Sequence, residues 1–144
     1  MSVCYYVSGR YSSLKGIGGI CGIYICPQFC KDCEMILQET KVMNVSCKYL
    51  SIIMAIRHAI DNNYYDIKIF TTSNKIFQAI QTHSRGKYFE LFECIDSYEG
   101  YIEWVKIKSS LNEIMRDKDS INLQKLNKSI EEGILCLEFR VGCD

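Results

Sequence analysis

Cys26, Cys30 and Cys33 form a C-x₃-C-x₂-C run. Thiolates at such spacings can close around one zinc ion, with Cys47 or His58 as the fourth ligand. A fuller zinc signature has two C-x₂-C pairs, and only one is present, so the run reads better as hairpin cysteines without a ligand role. His58 and His83 have no serine or cysteine nucleophile motif near them and read as surface histidines. The glycines of GIGGICG, residues 16–22, superficially suggest a phosphate loop. No Lys-Ser/Thr follows them and no helix opens there, so a β-hairpin turn fits better.

The elements that would position these residues centre on 44–80. Tyr49, Ile52, Ile53, Ile56 and Ile60 recur at i, i+3, i+4, i+7 and i+11, one apolar stripe of a helix that Asn44 or Ser46 can cap. Lys48, Ser51, Arg57, His58 and Asp61 lie mostly off that stripe. After the turn DNNYYD, residues 67–71 read as a buried strand, and Ser73 or Asn74 caps a second helix running to about residue 81. A strand reached through a helix crossover runs parallel to its neighbour.

Before this unit, residues 3–9, 20–26 and 33–42 read as three antiparallel strands. A glycine-rich turn joins the first two, and PQFCKD, with the only proline, joins the others. After the unit, 83–118 reads as an irregular or divergent helical segment, in which 88–95 suits a helix and 100–107 a strand or the start of a helix. Leu123, Leu126 and Ile130 share one face of a helix over 121–132, Gly133 reads as its C-cap, and 134–141 as the last strand. No repeat, linker or low-complexity tract divides 1–144, which reads as one α/β domain.

The composition is globular: 48% hydrophobic and 24% charged. Seventeen basic and seventeen acidic residues cancel, which argues against strong non-specific binding to phosphate while leaving room for a local basic patch. Neither a signal peptide nor a membrane span is expected. The nine cysteines are therefore read as mostly reduced thiols of an intracellular protein, cytoplasmic or nuclear. The wealth of Ile, Lys, Asn and Tyr points to an AT-rich coding genome, such as that of a large DNA virus or a protist.

The order of elements resembles the ribonuclease H fold, a mixed five-stranded sheet flanked by helices. In that family the first strand ends in an Asp-Gly-Ser type motif before a glycine-rich turn; here Val7-Ser8-Gly9-Arg10 precedes GIGGICGIYI. The family's central helix opens with Asn and then a metal-binding Glu; here Asn44 precedes Ser46, Cys47 and Lys48. Its fourth strand ends in Thr-Asp-Ser; here Thr71-Thr72-Ser73 leads into NKIFQAI. The stretch NLQKLNKSIEEGILCLEFRVG looks like the family's late helix and fifth strand.

The resemblance implies two magnesium ions held by clustered carboxylates. At those positions this sequence has Ser8, Lys48 (Tyr49 on a one-residue shift) and Thr72. Hard cations need anionic oxygen ligands. Like charges about 4 Å apart repel by several kcal/mol at an effective dielectric near 20. The last acid of the family sits on a helix after the fifth strand, and that helix reads as missing here. The expectation is a catalytically inactive, cofactor-free ribonuclease H-like domain, not an enzyme. Its partners would be another protein subunit or a second copy, covering sheet surface that the missing helix exposes. The alternative is a non-cleaving module for RNA–DNA hybrid or duplex, in which Arg10, Lys15, Asn44 and Asn74 line the family's nucleic-acid surface. A third reading is a nuclease with relocated acids such as Glu34, Glu39 or Asp66. The aromatics Tyr88, Phe89, Phe92, Tyr98, Tyr101 and Trp104 either complete the core or form a partner surface.

Overall fold

The computed structural model describes residues 2–11, 19–27, 33–40, 46–107 and 118–143. The elements in chain order are strands β1 (Val3–Tyr11), β2 (Gly19–Pro27) and β3 (Glu34–Thr40), then helix α1 (Ser46–Asp61) and strand β4 (Asp66–Thr71). Helix α2 (Asn74–Thr82), a 3₁₀ turn (Gly86–Tyr88), helix α3 (Phe89–Ser97), strand β5 (Tyr101–Lys106) and helix α4 (Lys118–Cys143) complete them. One sheet holds all five strands in the order β3-β2-β1-β4-β5. β1 is antiparallel to β2 and β2 to β3, while β1–β4 and β4–β5 are parallel. This is the mixed five-stranded, helix-flanked sheet expected from the sequence.

Alternation along β1 builds a core on each face. Val3, Tyr5 and Val7 join Ile52, Ile53 and Ile56 of α1, with Leu91 and Phe92 of α3. Tyr6 joins Leu123, Leu126 and Ile130 of α4 on the other face. Fully buried isoleucines such as Ile52 and Ile56 each contribute roughly 1.5–3 kcal/mol through loss of apolar contact with water. Ile60, placed on the same stripe by its spacing, is 41% exposed, while Ala59 beside it is fully buried in the core. His58 is not a free surface histidine: its Nδ1 lies 3.0 Å from the hydroxyl of Tyr5, a phenol with no exposed surface. Burial first, and the neighbouring Tyr64 and Tyr98 phenols second, hold the Tyr5 pKa well above its ordinary value.

The fifth strand is not 134–141 but Tyr101–Lys106, inside the segment read as irregular, where Lys68 pairs with Glu103 across the ladder at 3.4 Å. Residues 134–141 instead continue α4, so the helix that the sequence reading judged absent is present, packed on β1 and β2. Gly133 is interior to it rather than a cap. A Cβ there would run into Ile20 Cδ1, so the missing side chain lets the helix lie close on β2. Most of the aromatic cluster completes the core: Tyr88, Phe92 and Tyr98 are buried and Trp104 packs against them, leaving Phe89 and Tyr101 exposed.

Candidate functional site

Gly9 decides how α1 meets the sheet. A Cβ on Gly9 would strike the carbonyl of Cys47, so only glycine allows the first turn of α1 to cross the end of β1 this closely. Cys47 is buried in that contact, and Lys48, the next residue, is exposed. Ser51, fully buried, donates its hydroxyl to the Lys48 carbonyl at 2.6 Å and fixes the same turn.

On the neighbouring strand, β4 ends at Thr71 and α2 begins at Asn74, with only Thr72 and Ser73 between them. The Thr71 hydroxyl accepts the Ser73 N–H at 3.1 Å, and the Ser73 hydroxyl accepts the Ile76 N–H at 3.4 Å. Ser73 is thus the N-cap of α2, in extended geometry at φ −78° and ψ 108°. Thr72 and Asn74 flank it.

These two ends share a cavity of ≈ 230 Å³, lined by Lys48 from α1, by Thr72, Ser73, Asn74 and Lys75 from the β4–α2 junction, and by Lys87. Lys87 arrives through the aromatic residue beside it. Tyr88 packs edge-on against Tyr49, ring centres 6.0 Å apart, so the adjacent lysines 87 and 48 rim one hollow. Lys87 Nζ also lies 5.4 Å from the Tyr88 ring centre. Among the described residues, no carboxylate stands within ion-pair distance of Lys48, Lys75 or Lys87. Three ammonium groups with no carboxylate partner among the described residues, and the N-terminus of a nine-residue helix, favour an anion in this hollow.

Ser8 takes no part in it. Its side chain turns to the opposite face of β1, with Cys4 and Tyr6, and its hydroxyl donates to the Asn127 side-chain carbonyl on α4. Of the three positions that the resemblance assigns to metal ligands, Lys48 and Thr72 therefore converge and Ser8 is engaged elsewhere. The hydroxyls of Thr72 and Ser73, the amide of Asn74 and three ammonium groups do not fit a pair of divalent cations, which need anionic oxygens. Among the described residues, no group of three or more His, Cys, Asp or Glu side chains could hold a metal ion.

The other candidate residues separate. Asn74 lines the cavity, whereas Arg10 is paired with Glu131 of α4 at 2.7 Å. Lys15, Asn44 and Cys30 lie outside the described residues. Cys26 and Cys33 face each other across β2 and β3. Glu34 and Glu39 stand about 17 Å apart along β3, and Asp66 begins β4 at the end remote from Thr72, so the relocated acids do not gather. Lys75 and Lys87 escaped the sequence reading. Lys75 sits in the first turn of the helix that Ser73 caps, a legible signal, but nothing local links Lys87 to Lys48. A second concavity, ≈ 260 Å³, lies between α1 and β3 over Cys21, Ile36, Leu50 and Ile53 and takes in His58 but neither Lys48 nor Thr72. No helix among the described residues is long and apolar enough to cross a membrane.

No protein-family model and no curated protein sequence matches the chain. Solved structures do. Ribonuclease H1 of the halophilic archaeon Halobacterium salinarum NRC-1 superposes with a TM-score of 0.63 at 15% identity, over 78% of this chain and 90% of that one. LC11-RNase H1, solved in complex with an RNA/DNA hybrid, gives 0.63 at 14% identity, over 92% and 99%. The protease–reverse transcriptase of prototype foamy virus gives 0.69 at 10% identity, over 92% of this chain and 20% of that much longer one. The chain has a ribonuclease H-like fold.

Proposed function

We propose that this ribonuclease H-like fold serves as a nucleic-acid-binding module that does not cleave, gripping a backbone phosphate in the hollow of Lys48, Lys75 and Lys87. The observation that carries the reading is the convergence of these three lysines with Thr72 and the α2 N-terminus on one cavity. Where the fold's nucleases gather carboxylates around magnesium, a phosphate here meets ammonium groups directly, so the site favours holding the backbone over hydrolysing it. The RNA/DNA hybrid bound by LC11-RNase H1 indicates the kind of duplex to try first.

The test is fluorescence anisotropy with a labelled RNA–DNA hybrid across a salt series, alongside a magnesium-dependent cleavage assay. Binding should weaken steeply with salt. Changing Lys48, Lys75 or Lys87 to Gln should each lower the log–log slope by about one, with no cleavage at any magnesium concentration. Absence of binding at low salt, or cleavage that requires magnesium, overturns the proposal.

A second reading, an assembly module, is favoured by β3. It is an outer strand of the sheet, and its Met35 and Leu37 are each 43% exposed. Apolar side chains exposed on an outer strand invite another chain. Sedimentation that shows self-association, abolished by Leu37→Lys, would support this reading; a monomer at high concentration would remove its self-associating form.

A further inference from the structure

The register of β2 against β3 places Gly19 opposite Thr40 at one end and Ile25 opposite Glu34 at the other. One rung beyond Ile25 and Glu34 stand Cys26 and Cys33, with their Sγ atoms 3.0 Å apart. Cross-strand neighbours have Cα separations of roughly 4.5–5.5 Å, inside the range a disulfide accepts. Forming the bond shortens the S–S separation by about 1 Å, which side-chain rotation supplies without moving either strand. The two thiols also differ in access: Cys33 is exposed, while Cys26 is half-buried and accepts a hydrogen bond from Asn122 Nδ2 of α4 at 3.9 Å.

We propose that Cys26 and Cys33 are a reversible disulfide site that closes the end of the β2–β3 hairpin, oxidised by a low-molecular-weight disulfide. The exposed Cys33, as thiolate, attacks one sulfur of the oxidant and expels its first thiol, leaving a mixed disulfide on Cys33. Cys26 then attacks the Cys33 sulfur and expels the second thiol. The protein pair loses two protons and two electrons, and the oxidant gains both as two thiols. Cys4 of β1 lies opposite Cys26 on its other side, so Cys26 has one thiol position on each flank across three adjacent strands. The close approach to Cys33 selects that partner. The site is independent of the lysine hollow.

The experiment treats the reduced full chain with oxidised glutathione, blocks remaining thiols with N-ethylmaleimide, and maps tryptic peptides without reduction. Cleavage after Lys31 leaves Cys21, Cys26 and Cys30 on residues 16–31 and Cys33 on 32–41, so the Cys26→Ser and Cys30→Ser variants decide which thiol carries the link. The linked peptide pair should form in the parent and in Cys30→Ser, vanish in Cys26→Ser and Cys33→Ser, and reverse with dithiothreitol. Oxidation should raise the melting temperature of the parent and Cys30→Ser only. Cys33→Ser, at an exposed position, serves as the folded control if Cys26→Ser does not fold. A link that survives Cys26→Ser, a Cys4–Cys26 link, glutathione retained on Cys33, or bound zinc that blocks oxidation would each overturn the assignment.

Discussion

The hydroxyl of Ser8 donates to the side-chain carbonyl of Asn127, tying the central strand of the sheet to the final helix across 119 positions of sequence. Both residues are half-buried, so water replaces the lost partner only in part when either is truncated. Ser8→Ala and Asn127→Ala should each lower stability by about 1 kcal/mol in urea denaturation. A double-mutant cycle should return a coupling of about 0.5–1.5 kcal/mol. Strictly additive single mutants would show that the pair contributes nothing as a pair.

The lysine hollow makes a prediction that needs no nucleic acid. Inorganic phosphate should stabilise the parent in proportion to occupancy, since a ligand of the native state raises stability by RT ln(1 + [L]/Kd). At a phosphate concentration ten times Kd, that is about 1.4 kcal/mol. In a Lys48→Gln, Lys87→Gln double variant the rise in melting temperature should disappear, while the same ionic strength from sodium chloride should give no rise in either protein. An equal phosphate effect in both would place the anion elsewhere.

Much of the frame was legible because its signals are local. The apolar stripe of Ile52, Ile53 and Ile56 and the run 67–71 give α1 and β4 by period alone. The C-terminal third was misread because local and tertiary signals conflict there. Gly133 looks like a helix stop, yet its lack of a Cβ serves packing against Ile20, and Ile134 continues the inner face of the same helix. With 134–141 taken for the fifth strand, the stretch 100–107, legible as a strand or a helix start, has no place in the sheet, and α4 is cut short at Gly133. The site was half legible for a similar reason. Lys48 and Thr72 are found by their place in the fold's pattern, but Lys87 joins them only through the Tyr49–Tyr88 contact, which no spacing announces.

Gly9 should tolerate no side chain. The obstacle to a Cβ is the Cys47 backbone carbonyl, which can move only if α1 does. Gly9→Ala should therefore cost about 3 kcal/mol, the upper part of the usual range for overpacking. Because the shift displaces the first turn of α1, it should weaken hybrid binding as well. Thermal denaturation together with anisotropy would check both. Gly9→Ala with parental stability would contradict the close approach of α1 to β1.

Alkaline pH should unfold the chain in part through Cys21. This thiol is only 1% exposed, and burial, with Cys47 as the second cause, pushes its pKa from 9.0 up to about 11. The unfolded chain releases this proton near pH 9, whereas the folded chain keeps it until about pH 11. Below that window both states are protonated and Cys21 contributes no pH dependence. Within it the folded state binds more protons, so stability falls as pH rises, and above it the loss is complete. The loss is on the order of 3 kcal/mol. Other buried groups, Tyr5 among them, add their own alkaline losses, so the comparison must be differential. Urea denaturation under reducing conditions should show the parent losing more stability across this window than Cys21→Ala, even though the variant starts lower because of its smaller side chain. Parallel losses in the two proteins would mean that the Cys21 thiol titrates alike in the folded and unfolded chain.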